Sequence, residues 1–173
     1  MAIKRYTAIK DTTISNAFDS SLTNSNRATG SNMGASDVLE TFSIYGQASS
    51  GSAELSRILL DFPITGTNSI KADRDADNIP SSGSVKFYLK LYNCPHAFTL
   101  PRDYTLSVLP ISKSWTEGAG LDMEQYSDLD HCNWLFASDG TTWDNYGGDY
   151  HTGTYSAGVN LPTYTAQFSK GNE

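Results

Sequence analysis

The sequence predicts an all-β protein: a jelly-roll-like β-sandwich with long ordered loops and at most one or two short helical turns. Three observations lead there. The chain has 173 residues, enough for one domain with a real core. Only 38% of them are hydrophobic and 18% charged, and Ser, Thr, Gly, Asn and Tyr fill the gap, so helix formers are thin. Several short segments alternate apolar and polar side chains, the period of a half-buried strand, and long polar stretches separate them. No internal repeat and no boundary interrupts the pattern, so residues 1–173 read as a single β-sandwich domain.

In chain order, Ile3–Ile9 alternates loosely and suggests an edge strand, and Asp11–Phe18 a second strand. Asp19–Ser36 is polar and aperiodic and reads as a long loop. Its "TGSNMG" has the glycines of a phosphate cradle, Gly30 and Gly34. It lacks the Gly-Lys-Ser/Thr ending and a following helix pattern. Asp37–Gly46 fits a strand, and Gln47–Ala53 a turn-rich connection. Leu55–Ile64 is the most apolar segment and reads as a central strand stopped by Pro63. Thr65–Gly83 reads as another long loop. After it, "SVKFYLKLYN" is the clearest strand, with Val85, Phe87, Leu89 and Leu91 on one face and Lys86, Tyr88, Lys90 and Tyr92 on the other. Tyr104–Trp115 is a further strand interrupted by Pro110. Leu121–Leu129 suits one or two helical turns, capped by Asp122. "CNWLFAS" is short and apolar, and Thr163–Lys170 is a last strand. The total is about seven or eight strands.

Net charge is −7, which repels phosphate backbones and speaks against a nucleic-acid partner. The start of the chain carries charge but no apolar core of ~7–15 residues, so it does not read as a secretory signal. No run approaches the ~20 apolar residues of a membrane helix. Synthesis in a cytoplasm is therefore expected, for a chain whose composition suits an exported adhesive or capsid-like β-protein. A virus reconciles the two, because its structural proteins fold in the host and leave by lysis. Cys94 and Cys132 are too few for a disulfide scaffold and read as two reduced, partly buried thiols or one disulfide.

Ser114–Gly153 concentrates the chemistry-bearing residues. Glu117, Asp122, Glu124, Asp128 and Asp130 crowd one segment. Glycoside hydrolysis needs two carboxylates ~5–10 Å apart across a cleft, and acids from one local stretch read more simply as a solvated loop. Neither a Gly-x-Ser-x-Gly elbow nor another Ser/His/Asp grouping is legible. Asp73, Asp75 and Asp77 copy the first half of a calcium loop, but Asn78 stands where an EF-hand needs Gly and Ser84 where it needs Glu. Asp149 in "GGDY" is a second calcium candidate. Cys94, His96, His131 and Cys132 make an inventory for zinc without the usual spacing. Trp115, Trp134, Trp143, Tyr126, Tyr146 and Tyr150 could form a stacking platform for sugar rings; the alternative is that the tryptophans pin the long loop to the sandwich.

"SRILLDFPI", "VKFYLKLYN" and "SKSWTEGAG…GTTWDNYGGDY" carry a family likeness. The matching positions are Arg57, Leu60 and Phe62 on one strand and Leu89 to Tyr92 on the next. Ser114, Trp115, Glu117 and Gly118 form a "Ser-Trp-x-Glu-Gly" turn. Thr142, Trp143, Gly147, Gly148, Asp149 and Tyr150 complete the set. In this order they resemble DNRLRE-type (disaggregatase-related) β-sandwich domains, most closely those in virion structural proteins of marine tailed phages. The likeness runs from about Asp37 to the C-terminus. It implies a building block of a phage particle or, in cellular relatives, a carbohydrate-binding module of wall-associated proteins, and it supplies no catalytic residues. In the family a strand end like that of Phe168, Gly171 and Glu173 leads into further strands. The 173 residues are thus open to being the N-terminal part of a longer chain, with sandwich edges left to pair elsewhere.

The sequence therefore leads to a non-enzymatic structural protein in the capsid, neck or tail of a tailed phage. Its partners would be other virion proteins and copies of itself, with no nucleic acid and no membrane. The alternative is an adhesion module for host or cell-wall polysaccharide. Trp115, Trp143, Tyr146 and Tyr150 are the binding candidates for sugar or partner; no cofactor is expected, with calcium at Asp73, Asp75 and Asp77 as the leading alternative. A polysaccharide-degrading enzyme would instead rely on Glu117.

Overall fold

The computed structural model describes residues 3–19, 27–45, 53–80, 83–95, 103–122, 125–129, 131–151 and 164–168. Its strands are β1 (Lys10–Ser15), β2 (Ser43–Tyr45), β3 (Ala53–Asp61), β4 (Tyr104–Val108), β5 (Phe136–Ser138), β6 (Thr141–Thr142) and β7 (Tyr164–Phe168). One short helix, α1 (Ile70–Asp75), interrupts them, so the fold is all-β with almost no helix. Among the described residues no helix is long and apolar enough to cross a membrane.

The most apolar segment does become the central strand. β3 lies between β1 and β2 in an antiparallel sheet of order β1-β3-β2. Its register sets Lys10 opposite Asp61, Thr12 opposite Leu59 and Ile14 opposite Arg57. Opposed residues share a face, so Lys10, Thr12, Ile14, Arg57, Leu59 and Asp61 line one side of the sheet. The other side is crossed by the chain at Glu40–Phe42. There Thr13 Oγ1 accepts from the Glu40 amide at 2.9 Å and Ser56 Oγ from the Phe42 amide at 2.7 Å. The remaining strands form two separate pairs, β4-β7 and β5-β6. β4-β7 is closed by Tyr104 stacked on Phe168, ring centroids 4.9 Å apart. Two stacked four-stranded sheets in jelly-roll order are not found among the described strands.

What covers the first side of the sheet is described chain between Trp115 and Trp143. Trp115, Cys132, Trp134, Ala137 and Trp143 are buried with Ile14 and Leu59 in one cluster, and Leu55, Ile111 and Leu135 pack around it. Trp143 is 2% exposed, and its indole N–H donates to the Asn133 carbonyl at 2.8 Å. A sheet needs one apolar layer against it, and three large indoles supply that layer where a second sheet would otherwise stand.

Several expectations from the sequence are refined or corrected. First, the described residues of the polar stretch before Ser36 form a loop, as expected, but one that is partly buried, at Ala28, Ser31, Asn32 and Met33. Asn32 fills all four positions of its amide. Nδ2 donates to the carbonyls of Glu117 and Cys132, each at 2.8 Å, and Oδ1 accepts from the amides of Gly120 at 2.8 Å and Gly34 at 3.2 Å. The backbones close on this side chain so tightly that a methyl group at Gly34 would overlap Glu117, and one at Gly120 would overlap Asn32. Second, Val85–Asn93 pairs with no described strand, and its apolar residues are mostly exposed. Third, the described residues of Leu121–Leu129 form no helix, and a short one lies inside Thr65–Gly83, where Ser69 Oγ accepts from the Ala72 amide and caps α1. Ile3–Ile9 likewise joins no strand, and of the described residues of Asp37–Gly46 only Ser43–Tyr45 do.

α1 is tied to the start of the chain through Asp73. Its carboxylate accepts from Lys4 Nζ at 2.7 Å, the Tyr6 hydroxyl at 2.6 Å and Asn78 Nδ2 at 3.1 Å. Lys4 foremost, then Tyr6, holds the carboxyl down at about 2. A depressed folded pKa stabilises the fold above the unfolded value, about 3.9, and that contribution fades as pH falls through about 2. Asp73→Asn is therefore expected to lower the thermal midpoint by a few degrees at pH 7, with the gap to wild type closing toward pH 2. A gap independent of pH would refute the assignment.

Candidate functional site

The surface above the indole layer is built around Arg57. β3 places its guanidinium 4.9 Å from the Trp134 ring and 4.7 Å from the Tyr150 ring. It donates to the Gly147 carbonyl at 2.5 Å and to the Tyr150 hydroxyl at 3.5 Å. A planar cation between two aromatic faces is well suited to staple a loop onto a sheet. Tyr150 remains partly exposed and Tyr146 largely so. The backbone bridge between Ile111 and Tyr150 carries this patch into a shallow cleft of ≈ 240 Å³ lined by Lys10, Asp61 and the run Ile111–Trp115.

The cleft is polar, and its charges are already paired. Lys10 meets Asp61 at 3.2 Å; Lys113 meets Asp144 at 2.8 Å and Asp149 at 3.4 Å. Asp61 is the one carboxylate among the lining residues, so this cleft holds no facing pair of the kind glycoside hydrolysis uses.

The acids singled out in the sequence hold the loops in shape. Glu117 Oε1 accepts from the Asp11 amide at 2.6 Å, and Asp128 Oδ2 from the Leu121 amide at 2.7 Å. Asp122 accepts from the amides of Gln125 and Ser127. Burial pushes its carboxyl up, yet the N–H groups of Ser127, Gln125 and Tyr126 outweigh this and hold it well below the usual range. Asp149 is held in the same way: burial raises it, and the amides of Asp144 and Asn145 with Lys113 bring it down. Glu124 and Asp130 lie outside the described residues.

The calcium candidates are not brought together. Asp73 is engaged by Lys4, Tyr6 and Asn78, while Asp75 pairs with Lys71 at 2.5 Å on the exposed side of α1. Asp77 follows the helix with φ 57°, in the left-handed region. The alternation that resembled a metal loop is helical at this point, and helical spacing turns alternate residues apart. Among the described residues no three of His, Cys, Asp and Glu converge to hold a metal ion. Of the zinc inventory, Cys94 is exposed and Cys132 is fully buried, both as free thiols. Burial pushes the Cys132 thiol up to about 12, which keeps it protonated and inert at neutral pH. His96 lies outside the described residues.

Of the four sugar-or-partner candidates, Trp115 and Trp143 are in the core, so their ring faces are spent on packing, as the alternative reading had it. Tyr146 and Tyr150 stay at the surface with Arg57. Asn32 and the loop-capping role of Asp149 escaped the sequence reading. The only hint was a lone Asn set among glycines.

The remaining exposed feature is Val85–Tyr92. Phe87 is 64% exposed and Tyr92 81%, and Tyr88, Leu89 and Leu91 are exposed with them. Lys90 Nζ lies 4.6 Å from the Tyr92 ring centroid. The alternation of the sequence forms no strand here: both sets of side chains are largely exposed, and no described partner strand or covering layer meets them. In comparisons with family models, curated proteins and solved structures, nothing matches this chain.

Proposed function

We propose that the chain is a non-enzymatic structural subunit of a larger assembly, joined to its neighbours through Val85–Tyr92. The observation that carries this reading is that run of large exposed apolar and aromatic residues, alternating as a strand does and left uncovered. Exposed apolar groups on this scale mark interaction surfaces. An uncapped alternating segment offers main-chain hydrogen bonds as well. The resemblance to DNRLRE-type domains of tailed-phage virion proteins supplies the setting: a capsid, neck or tail component, retained in a particle by many weak contacts acting together. The test is to locate the chain by electron microscopy and fractionation of the particles. It is expected to sediment with intact virions; recovery only from the free protein fraction would refute the reading.

A second reading, a polysaccharide-binding module, is favoured by one observation: Tyr150 is exposed against Arg57, which has no carboxylate partner among the described ion pairs, and Tyr146, four residues earlier in the chain, is exposed as well. It requires glycan-array binding that is lost in Tyr146→Ala or Tyr150→Ala. Absence of binding by the wild type removes it.

A further inference from the structure

Resting on the assembly reading, we propose that the first partner of Val85–Tyr92 is the same segment of a second copy, paired antiparallel about a two-fold axis at Leu89. In this register Phe87 faces Leu91 and Leu89 faces its own counterpart. On the other side of the ribbon Lys86 faces Tyr92 and Tyr88 faces Lys90.

The residues themselves select this arrangement. A slip of one residue sets lysines against apolar side chains. Among registers that keep apolar against apolar, centring on Tyr88 opposes Lys86 to Lys90, and centring on Lys90 opposes that lysine to itself. Like charges directly opposite are unfavourable. Centring on Phe87 leaves Leu91 opposite Gly83. Only the register about Leu89 keeps the four central pairs complementary and gives each lysine an aromatic face. Within one chain Lys90 Nζ lies 4.6 Å from the Tyr92 ring centroid, and pairing would exchange this contact for Tyr88 of the second copy.

Charge supports a second copy in a further way. Each chain carries −7, so two copies repel over most of their surfaces. Residues 83–95 contain two lysines and no acid, so the repulsion between acidic surfaces is weakest here, and the register about Leu89 leaves no lysine directly opposite another.

Disulfide trapping tests the register. In a Cys94→Ser background, which removes the exposed thiol and leaves buried Cys132, Leu89→Cys is treated with diamide. Cα atoms directly opposite in an antiparallel pair lie ~4.5–5.5 Å apart, within disulfide range. Most of the Leu89→Cys chain is expected to run as a covalent dimer. Phe87→Cys and Leu91→Cys should each stay monomeric alone and cross-link when mixed. Failure of Leu89→Cys to cross-link, or self-linking of Phe87→Cys as efficient as that of Leu89→Cys, overturns the proposal. Light scattering on the wild type separates the two levels. Oligomers without the Leu89 cross-link refute this partner and register alone, whereas a monomer that is also absent from particles refutes the assembly reading with it.

Discussion

Asn32→Ala is expected to cost about 3–5 kcal/mol, a loss at the far end of what single substitutions do. Asn32 is 1% exposed and lies between two stretches of chain that meet nowhere near it in sequence. Truncation leaves the amides of Gly34 and Gly120 and the carbonyls of Glu117 and Cys132 without partners. Each unsatisfied buried group costs about 1–3 kcal/mol, and water entering the vacated space offsets part of the sum. Urea unfolding followed by circular dichroism gives the value, and a loss below about 1 kcal/mol would show that the hub is dispensable. Asn32→Asp sharpens the test. It keeps the two acceptor positions but aims an anionic oxygen at two carbonyl oxygens. Its folded pKa must therefore rise above the unfolded value, about 3.9, so the variant is least impaired below that pH and grows weaker as pH rises.

Trp143→Ala is the second large effect, expected at about 3–5 kcal/mol. The ring is 2% exposed and belongs to the cluster that covers the sheet. Trp143→Phe retains most of the apolar area but deprives the Asn133 carbonyl of its donor, and is expected to cost about 1–2 kcal/mol. The same unfolding curves decide between packing and display. A tryptophan held out for a ligand would give a change within about 0.5 kcal/mol on truncation.

The parts of this fold that were legible in the sequence are those where local pattern and tertiary environment agree. Leu55–Ile64 is apolar almost throughout because β3 is flanked on both sides, and Pro63 marks its end as expected. The tryptophan-rich stretch was legible as an ordered loop, though not as the layer that takes the place of a second sheet. Three failures have separate physical causes. Asn32 is polar and looks like surface, but its polarity is satisfied internally, and composition cannot tell water from a backbone amide as a partner. Asp73, Asp75 and Asp77 alternate, but the cap at Ser69 starts a helix, and six residues are too few for a helical period to stand out. At Val85–Tyr92 the expected strand with one buried face is not formed, because alternation says that one face wants cover and cannot say which chain provides it.

The contacts of Asn32 span 85, 88 and 100 residues of sequence. Closing loops of that length is entropically uphill until many contacts form together, so the core must consolidate late and slowly. A nascent chain would therefore spend that interval with its indoles and its Phe87–Leu91 ribbon both bare. Yield during synthesis, more than final stability, is then set by how fast residue 32 finds the segment around 120, and chaperone capture should compete with self-association for the same greasy stretches.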